Sequence, residues 1–282
     1  MNDHLAYLDT HAAKALEAAI LTDEMLSFYR ALYAYLAEEY GRYRNSSDLP
    51  HAGPDDIPIA SRGRSALFRE ETTRILSPGL DPLVDILSAH HPGLELASLR
   101  DYLAGDSSKW MELAGALLDR DPAAIEARAR ACKAGSDEVV FLVTNWLKPL
   151  FIALAESLGA ITGEEGDLGR SCPFCGHYPE LSLIVAGQEG KRHLTCSLCE
   201  TRWPFKRIAC TVCGTEDADA LEYLSEEGNE RYRIDLCHSC RGYIKTVRLD
   251  KFVEPEECDP AVENLLTVHL DSAALKRGFH RP

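Results

Sequence analysis

Eight of the ten cysteines in this sequence fall into four CxxC pairs: Cys172/Cys175, Cys196/Cys199, Cys210/Cys213 and Cys237/Cys240. The chemistry such pairs offer is metal binding by thiolate. Two intervening residues let a tight turn present both sulfurs to one ion, with backbone amides left to donate hydrogen bonds to the sulfurs. Four thiolates suit zinc or iron by softness and geometry, and the spacing does not separate the two. The choice matters, because iron brings one-electron redox chemistry and zinc does not. A lone CxxC would equally suit a redox-active dithiol. Four pairs in two matching units point to two ions, each held by four cysteines.

The units repeat one plan, with Cys172 and Cys210 as equivalent starts 38 residues apart. In the first, Cys172–Gly176 leads into a strand pattern at Leu181–Val185, a turn at 187–190, a strand at Lys191–Thr195, and then Cys196–Cys199. In the second, Cys210–Gly214 leads into Leu221–Leu224, a turn at 226–229, a strand at Arg231–Leu236, and then Cys237–Cys240. Each continues into a third strand pattern, Trp203–Ile208 and Tyr243–Leu249. The hairpins place the second pair of each unit beside the first, closing a short loop at low entropic cost. A cross-braced pairing of the first pair with the third is the alternative. Gly176 and Gly214 suit a positive φ just after their knuckles. His177, His193 and His238 lie near cysteines, but eight thiolates already fill two four-coordinate sites. Trp203 is read as an ordinary core tryptophan, with packing over the first centre as the alternative, and Cys132 as a buried small hydrophobe. Cys258 falls in an acidic, exposed loop with no sign of reactivity.

The elements that must carry these knuckles differ sharply from what precedes them. Up to about residue 160 there are no cysteine pairs, and apolar residues recur at helical spacing. Thr22 starts a helix with Leu26, Tyr29, Tyr33 and Leu36 on one face. Asp-Pro steps at 81–82, 121–122 and 259–260 put a capping carboxylate before a proline whose missing amide costs nothing in a first turn. Residues 44–63 read as a loop. The apolar stretch Val139–Leu158 is expected to cross the domain centre, with a kink at Pro149 and with Trp146 and Phe151 in the core. Glycine and acid take over at 161–170, marking a boundary. The last helix, started by Asp259, carries Val262, Leu265, Leu266, His269 and Leu270 on one face and ends near Gly278, packing on the body or on a second subunit of a homodimer.

The whole chain carries 30 Lys and Arg against 45 Asp and Glu, a formal charge of -15, which repels polyanions. The cysteine region, 171–250, holds 10 basic and 12 acidic side chains, a poor footprint for nucleic acid even though many zinc ribbons bind it. The start, Met-Asn-Asp-His, has no basic segment followed by an apolar one, and no uninterrupted apolar run approaches about 18 residues. No export signal and no membrane span are expected, so reduced thiols in a cytoplasmic protein are the natural setting for the cysteines. No nucleophile, base and orienting group occur together and no phosphate loop is present, so an enzyme is not expected.

The sequence resembles the formate dehydrogenase accessory protein family (FdhE) at Cys172–Gly176, Arg192–Trp203, Arg207–Gly214 and Cys237–Lys245, and in the tail at Asp259–Leu266 with Gly278-Phe279. The resemblance covers about the last 110 residues; the helical half agrees only in general character. It implies a cytoplasmic protein needed to assemble or activate respiratory formate dehydrogenase. It further implies rubredoxin-like centres associated with iron, ligated by the eight paired cysteines, and binding to the enzyme's catalytic subunit. The expected fold is α+β: a helical domain over 1–165 that recognises the client, metal ribbons over 166–208 and 209–252, and a C-terminal helix over 253–282. A zinc-ribbon nucleic-acid-binding protein and a dithiol redox protein are the competing functions.

Overall fold

A computed structural model describes residues 3–50, 67, 70–76, 80–94, 96–103, 107–159, 168–185, 191–226, 228–249 and 258–281. The architecture is α+β, with helices first, then a sheet bearing the cysteine knuckles, then two short helices. Most of the loop expected over 44–63, the turn expected over 187–190 and most of the boundary at 161–170 lie outside the described residues. The chain forms two compact units, one of Asp23–Ala160 with Phe174–His177 and one of Asn2–Thr22, Ile161–Pro173 and Tyr178–Pro282. Residues 2–22, counted in the helical domain from sequence, therefore group with the sheet; their partners lie far along the chain, where no sequence pattern announces them.

In the first unit, α2 (Asp23–Arg44) packs on α8 (Ser136–Ser157). Between them in sequence come α3 (Glu70–Ile75), α4 (Leu80–His90), α5 (Ala97–Leu103), α6 (Ser107–Asp119) and α7 (Pro122–Ala131). Asp121 caps α7 by accepting from the amides of Ala123 and Ala124, both at 3.0 Å, with Pro122 in the first turn as the Asp-Pro step predicts. At the other early step the expectation fails, because α4 already begins at Leu80 and Asp81 lies inside its first turn. Helix α8 supplies the core, burying Trp146, Leu147, Leu150, Phe151 and Leu154, with Pro149 inside the helix. It is also the one helix among the described residues long and apolar enough to cross a membrane by length and composition, a reading missed by counting uninterrupted apolar residues. Of that window, 72% is buried inside the protein, as in a core helix.

The second unit opens with α1 (His4–Glu17) and is built on six strands: β1 (Pro179–Ile184), β2 (Arg192–Cys196), β3 (Arg202–Phe205), β4 (Leu221–Glu226), β5 (Asn229–Cys237) and β6 (Tyr243–Arg248). Each cysteine repeat forms an antiparallel three-stranded meander. The meanders join into one sheet of order β3-β2-β1-β6-β5-β4 through a parallel pairing of β1 with β6, Ser182 opposite Thr246 and Ile184 opposite Arg248. The first strand of one repeat thus borders the last strand of the other, and the two repeats run side by side in the same direction. A buried arginine fastens the join. Arg192 donates to Ser182 Oγ at 2.8 Å, to the Ala209 carbonyl at 3.0 Å and to Asp235 Oδ2 at 2.9 Å, linking both repeats and the segment between them.

One face of the sheet is apolar and covered. Leu181, Leu183, Val247 and Leu249 bury with Cys258, while Ile234, Leu236 and Tyr243 bury with Leu270, Ala274 and Phe279. The covering elements are α9 (Pro260–Leu266) and α10 (Val268–Lys276). The single last helix expected from sequence is two, divided at Thr267, whose hydroxyl donates back to the Glu263 carbonyl at 2.7 Å. Such a bond competes with regular helix geometry, and the interruption lets α10 take its own direction on the sheet. His269 is half-buried in α10.

Candidate metal centres

Each knuckle is a tight turn set at the end of a strand or just before one. In two of them the first cysteine accepts from amides inside the turn: Leu198 to Cys196 at 3.4 Å, and Val212 and Cys213 to Cys210 at 3.3 and 3.4 Å. The amide of Gly242 gives the same service to Cys240 at 3.3 Å. These bonds favour the thiolate form and orient the sulfurs. In all four knuckles the residue after the second cysteine has positive φ: Gly176 at 80°, Glu200 at 58°, Gly214 at 81° and Arg241 at 63°. The two glycines meet the sequence expectation. Glu200 and Arg241 were not anticipated, because nothing but the repeat itself marks a non-glycine residue for this conformation.

The eight paired cysteines come together as two groups, Cys172/Cys175/Cys196/Cys199 and Cys210/Cys213/Cys237/Cys240, with the four sulfurs of each within 4.8 Å of one another. Pairing is therefore within each repeat and not cross-braced. Sulfur–sulfur separations are 3.5 Å for Cys172 to Cys199, and 3.7 Å for both Cys210 to Cys240 and Cys213 to Cys237. A tetrahedral ion with metal–sulfur bonds of about 2.3 Å needs sulfur–sulfur edges of about 3.8 Å, whereas a disulfide needs about 2.05 Å. The spacing fits a shared ion, and none of the ten cysteines forms a disulfide. Both groups are thus positioned to bind a metal ion. Among the described residues no histidine joins either group; His238 instead meets Glu222 at 2.8 Å.

The groups differ in access. All four cysteines of the first are buried, whereas in the second Cys213 is exposed and Cys240 only partly covered. The third residue of each knuckle follows the difference: Phe174 and Leu198 in the first group are fully buried, while Val212 is half-buried and Ser239 exposed in the second. Burial pushes the Cys240 thiol up to about 12 and also raises Cys210. At Cys213 burial also raises the pKa, but hydrogen bonds from the Thr215 backbone and the neighbouring sulfurs outweigh it and leave the thiol below its usual value. A bound cation would favour the thiolate at every one of these positions.

Glycine is required in the second group for a further reason. A Cβ on Gly242 would lie 2.5 Å from Val212 Cγ2 and 3.1 Å from Cys240 Sγ, so only glycine lets the two knuckles close. Beside this group, on the sheet face opposite α9 and α10, a cleft of about 620 Å³ includes Cys210, Cys237, Tyr223, Arg207 and Arg248 in its walls. Trp203 is fully buried on β3 and donates its indole N–H to the Gly169 carbonyl at 3.0 Å. Cys132 is buried as expected, at the C-terminal end of α7. Cys258, expected in an exposed loop, is also buried, and burial pushes its thiol up to about 12, disfavouring the thiolate.

Residues 171–207, which carry the first group, match the family model described as FdhE, central domain. The chain is 31% identical over 147 residues to an FdhE homolog of Aquifex aeolicus, covering 51% of this chain and 50% of that protein. To one of Edwardsiella ictaluri it is 33% identical over 172 residues, 60% and 51% of the respective chains. To one of Shewanella baltica it is 38% identical over 110 residues, 38% and 35%. The matches thus span about half the length of these relatives or less. The crystal structure of the FdhE protein from Pseudomonas aeruginosa has a similar fold over 99% of this chain and 93% of that one, with a TM-score of 0.60 and 24% identity.

Proposed function

From this resemblance to FdhE proteins we propose that the chain is an accessory protein of formate dehydrogenase, binding the catalytic subunit of that enzyme during its assembly or activation. The observation that supports the reading is the coincidence of the first four-cysteine cluster with residues 171–207, the region that matches the FdhE central domain. The eight cysteines are the ligands of two ions, one per cluster. Iron is the proposed metal, on the strength of the family resemblance; the thiolate geometry accommodates zinc equally well. The protein acts by binding rather than by turnover, with the helical body as the recognition element, and it works in the cytoplasm, where its thiols stay reduced.

Two experiments test the parts separately. Elemental analysis and an absorption spectrum of anaerobically purified protein should give two metal equivalents per chain and the thiolate-to-iron colour; a colourless protein with two zinc equivalents would replace iron by a structural ion. Co-purification with a tagged formate dehydrogenase catalytic subunit should succeed in the metal-loaded state. Failure to bind that subunit in either metal state would remove the proposed client.

A further inference from the structure

Positive φ in a non-glycine residue is unfavourable, and glycine relieves it. The other described non-glycine cases, Ala19, Arg120 and Lys133, each end a helix, where this conformation is a common stop. Glu200 and Arg241 end metal knuckles, and their counterparts Gly176 and Gly214 show that glycine serves at that position. What sets Glu200 and Arg241 apart is where their side chains go.

Glu200 is held from α1: its carboxylate lies 3.0 Å from Nε2 of His4, whose Nδ1 meets Asp259, the N-cap of α9, at 2.6 Å. His4 is 2% exposed. Arg241 is held from the segment after α10. It donates to the carbonyls of Arg277 and Gly278, and its guanidinium stacks 3.9 Å from the centre of the Phe279 ring. The backbone completes the grip, with His280 N–H donating to the Arg241 carbonyl at 2.8 Å and Tyr243 N–H to the His280 carbonyl at 2.9 Å. Phe279 is buried and meets the ring of His238, inside the same knuckle, edge-on at 5.5 Å.

We propose that Glu200 and Arg241 are positioning residues: side-chain handles by which α1 and the segment 277–280, respectively, clamp the second knuckle of each centre and slow the escape of its ion. The proposal rests on the reading of both clusters as metal sites. Backbone strain and clamping then predict opposite signs for one substitution. If φ alone mattered, Arg241→Gly would relieve strain and hold metal as well or better. As a handle, its loss frees the knuckle.

The test uses the full chain loaded with cobalt(II), read by thiolate-to-cobalt absorption during a challenge with EDTA, in Cys175→Ser and Cys213→Ser backgrounds that each leave one complete cluster. Arg241→Gly should speed cobalt loss about tenfold from the second cluster and leave the first unchanged. Glu200→Gly should act on the first alone, at least as strongly, because its contacts are buried. Arg241→Lys, which keeps a cation over the ring, should recover part of the retention. Phe279→Leu approaches the clamp from its other side and should speed loss from the second cluster, keeping the test decisive if a glycine variant does not fold. Glycine variants that lose cobalt at the parental rate or slower, or that affect both clusters alike, would overturn the clamp. Failure of the unsubstituted chain to bind two cobalt equivalents would instead strike the metal reading itself.

Discussion

The two cysteine clusters have the same ligands, the same sulfur spacing and the same knuckle backbone, yet one is sealed and the other reaches solvent at Cys213. The difference teaches that a CxxC pair determines coordination while its neighbours determine access. Phe174 and Leu198, inside the knuckles of the first cluster, are fully buried; Val212 is half-buried and Ser239 exposed in those of the second. A sealed tetrathiolate suits a permanent structural ion, and an accessible one suits exchange of an ion or an electron with another molecule.

The largest effect expected of a single substitution is at His4. His4→Ala would remove the buried cation that Asp259 and Glu200 share, costing about 3–5 kcal/mol and lowering the midpoint of thermal unfolding, with the first cluster affected more than the second. The same histidine gives wild type a pH dependence. Burial alone would lower its pKa, but Glu200 and Asp259 outweigh burial and raise it to about 9 from 6.5. The stability this adds is complete below pH 6.5 and is lost as pH rises through 9. Melting curves from pH 6 to 10 should therefore show a decline that His4→Ala lacks.

Leu198→Ser ranks next, since it removes a fully buried side chain and opens the sealed cluster. A loss of about 2–5 kcal/mol and faster chelation of the first ion are expected in denaturant and chelator titrations. Gly242→Ala forces Val212 and the Cys240 sulfur aside, at about 1–3 kcal/mol, and should weaken cobalt(II) binding at the second cluster alone. The smallest effect is the converse swap. Ser239→Leu at an exposed position should change stability by less than about 0.5 kcal/mol while slowing thiol modification of Cys213 if access is governed by this side chain.

How far these features could be read in advance divides along the range of the interactions. The eight cysteines, their pairing within each repeat, the hairpins and the caps at Asp121 and Asp259 are local patterns, and each was legible. The parallel join of β1 to β6 was not, because pairing between repeats depends on whole faces and leaves no short signature. His4 meets Asp259 across 255 residues, so neither its role nor the grouping of α1 with the sheet could be seen from spacing. Glu200 and Arg241 were hidden by the glycine rule itself, which finds Gly176 and Gly214 and passes over residues that accept the same backbone for the sake of their side chains. The unequal burial lay in plain view as Phe174 and Leu198 against Val212 and Ser239, and it became interpretable only once the knuckles were known to share one geometry.

The inequality of the two centres is tested most directly by metal release from anaerobically purified protein, followed with a colorimetric chelator while folding is monitored by circular dichroism. Two equivalents should leave in separate phases, the first at least about tenfold faster and without unfolding, the second only as the fold is lost. Assignment follows from Cys213→Ser, which should remove the fast phase. Release of both equivalents in one phase, or a fast phase that survives Cys213→Ser, would contradict the division into an open and a sealed centre.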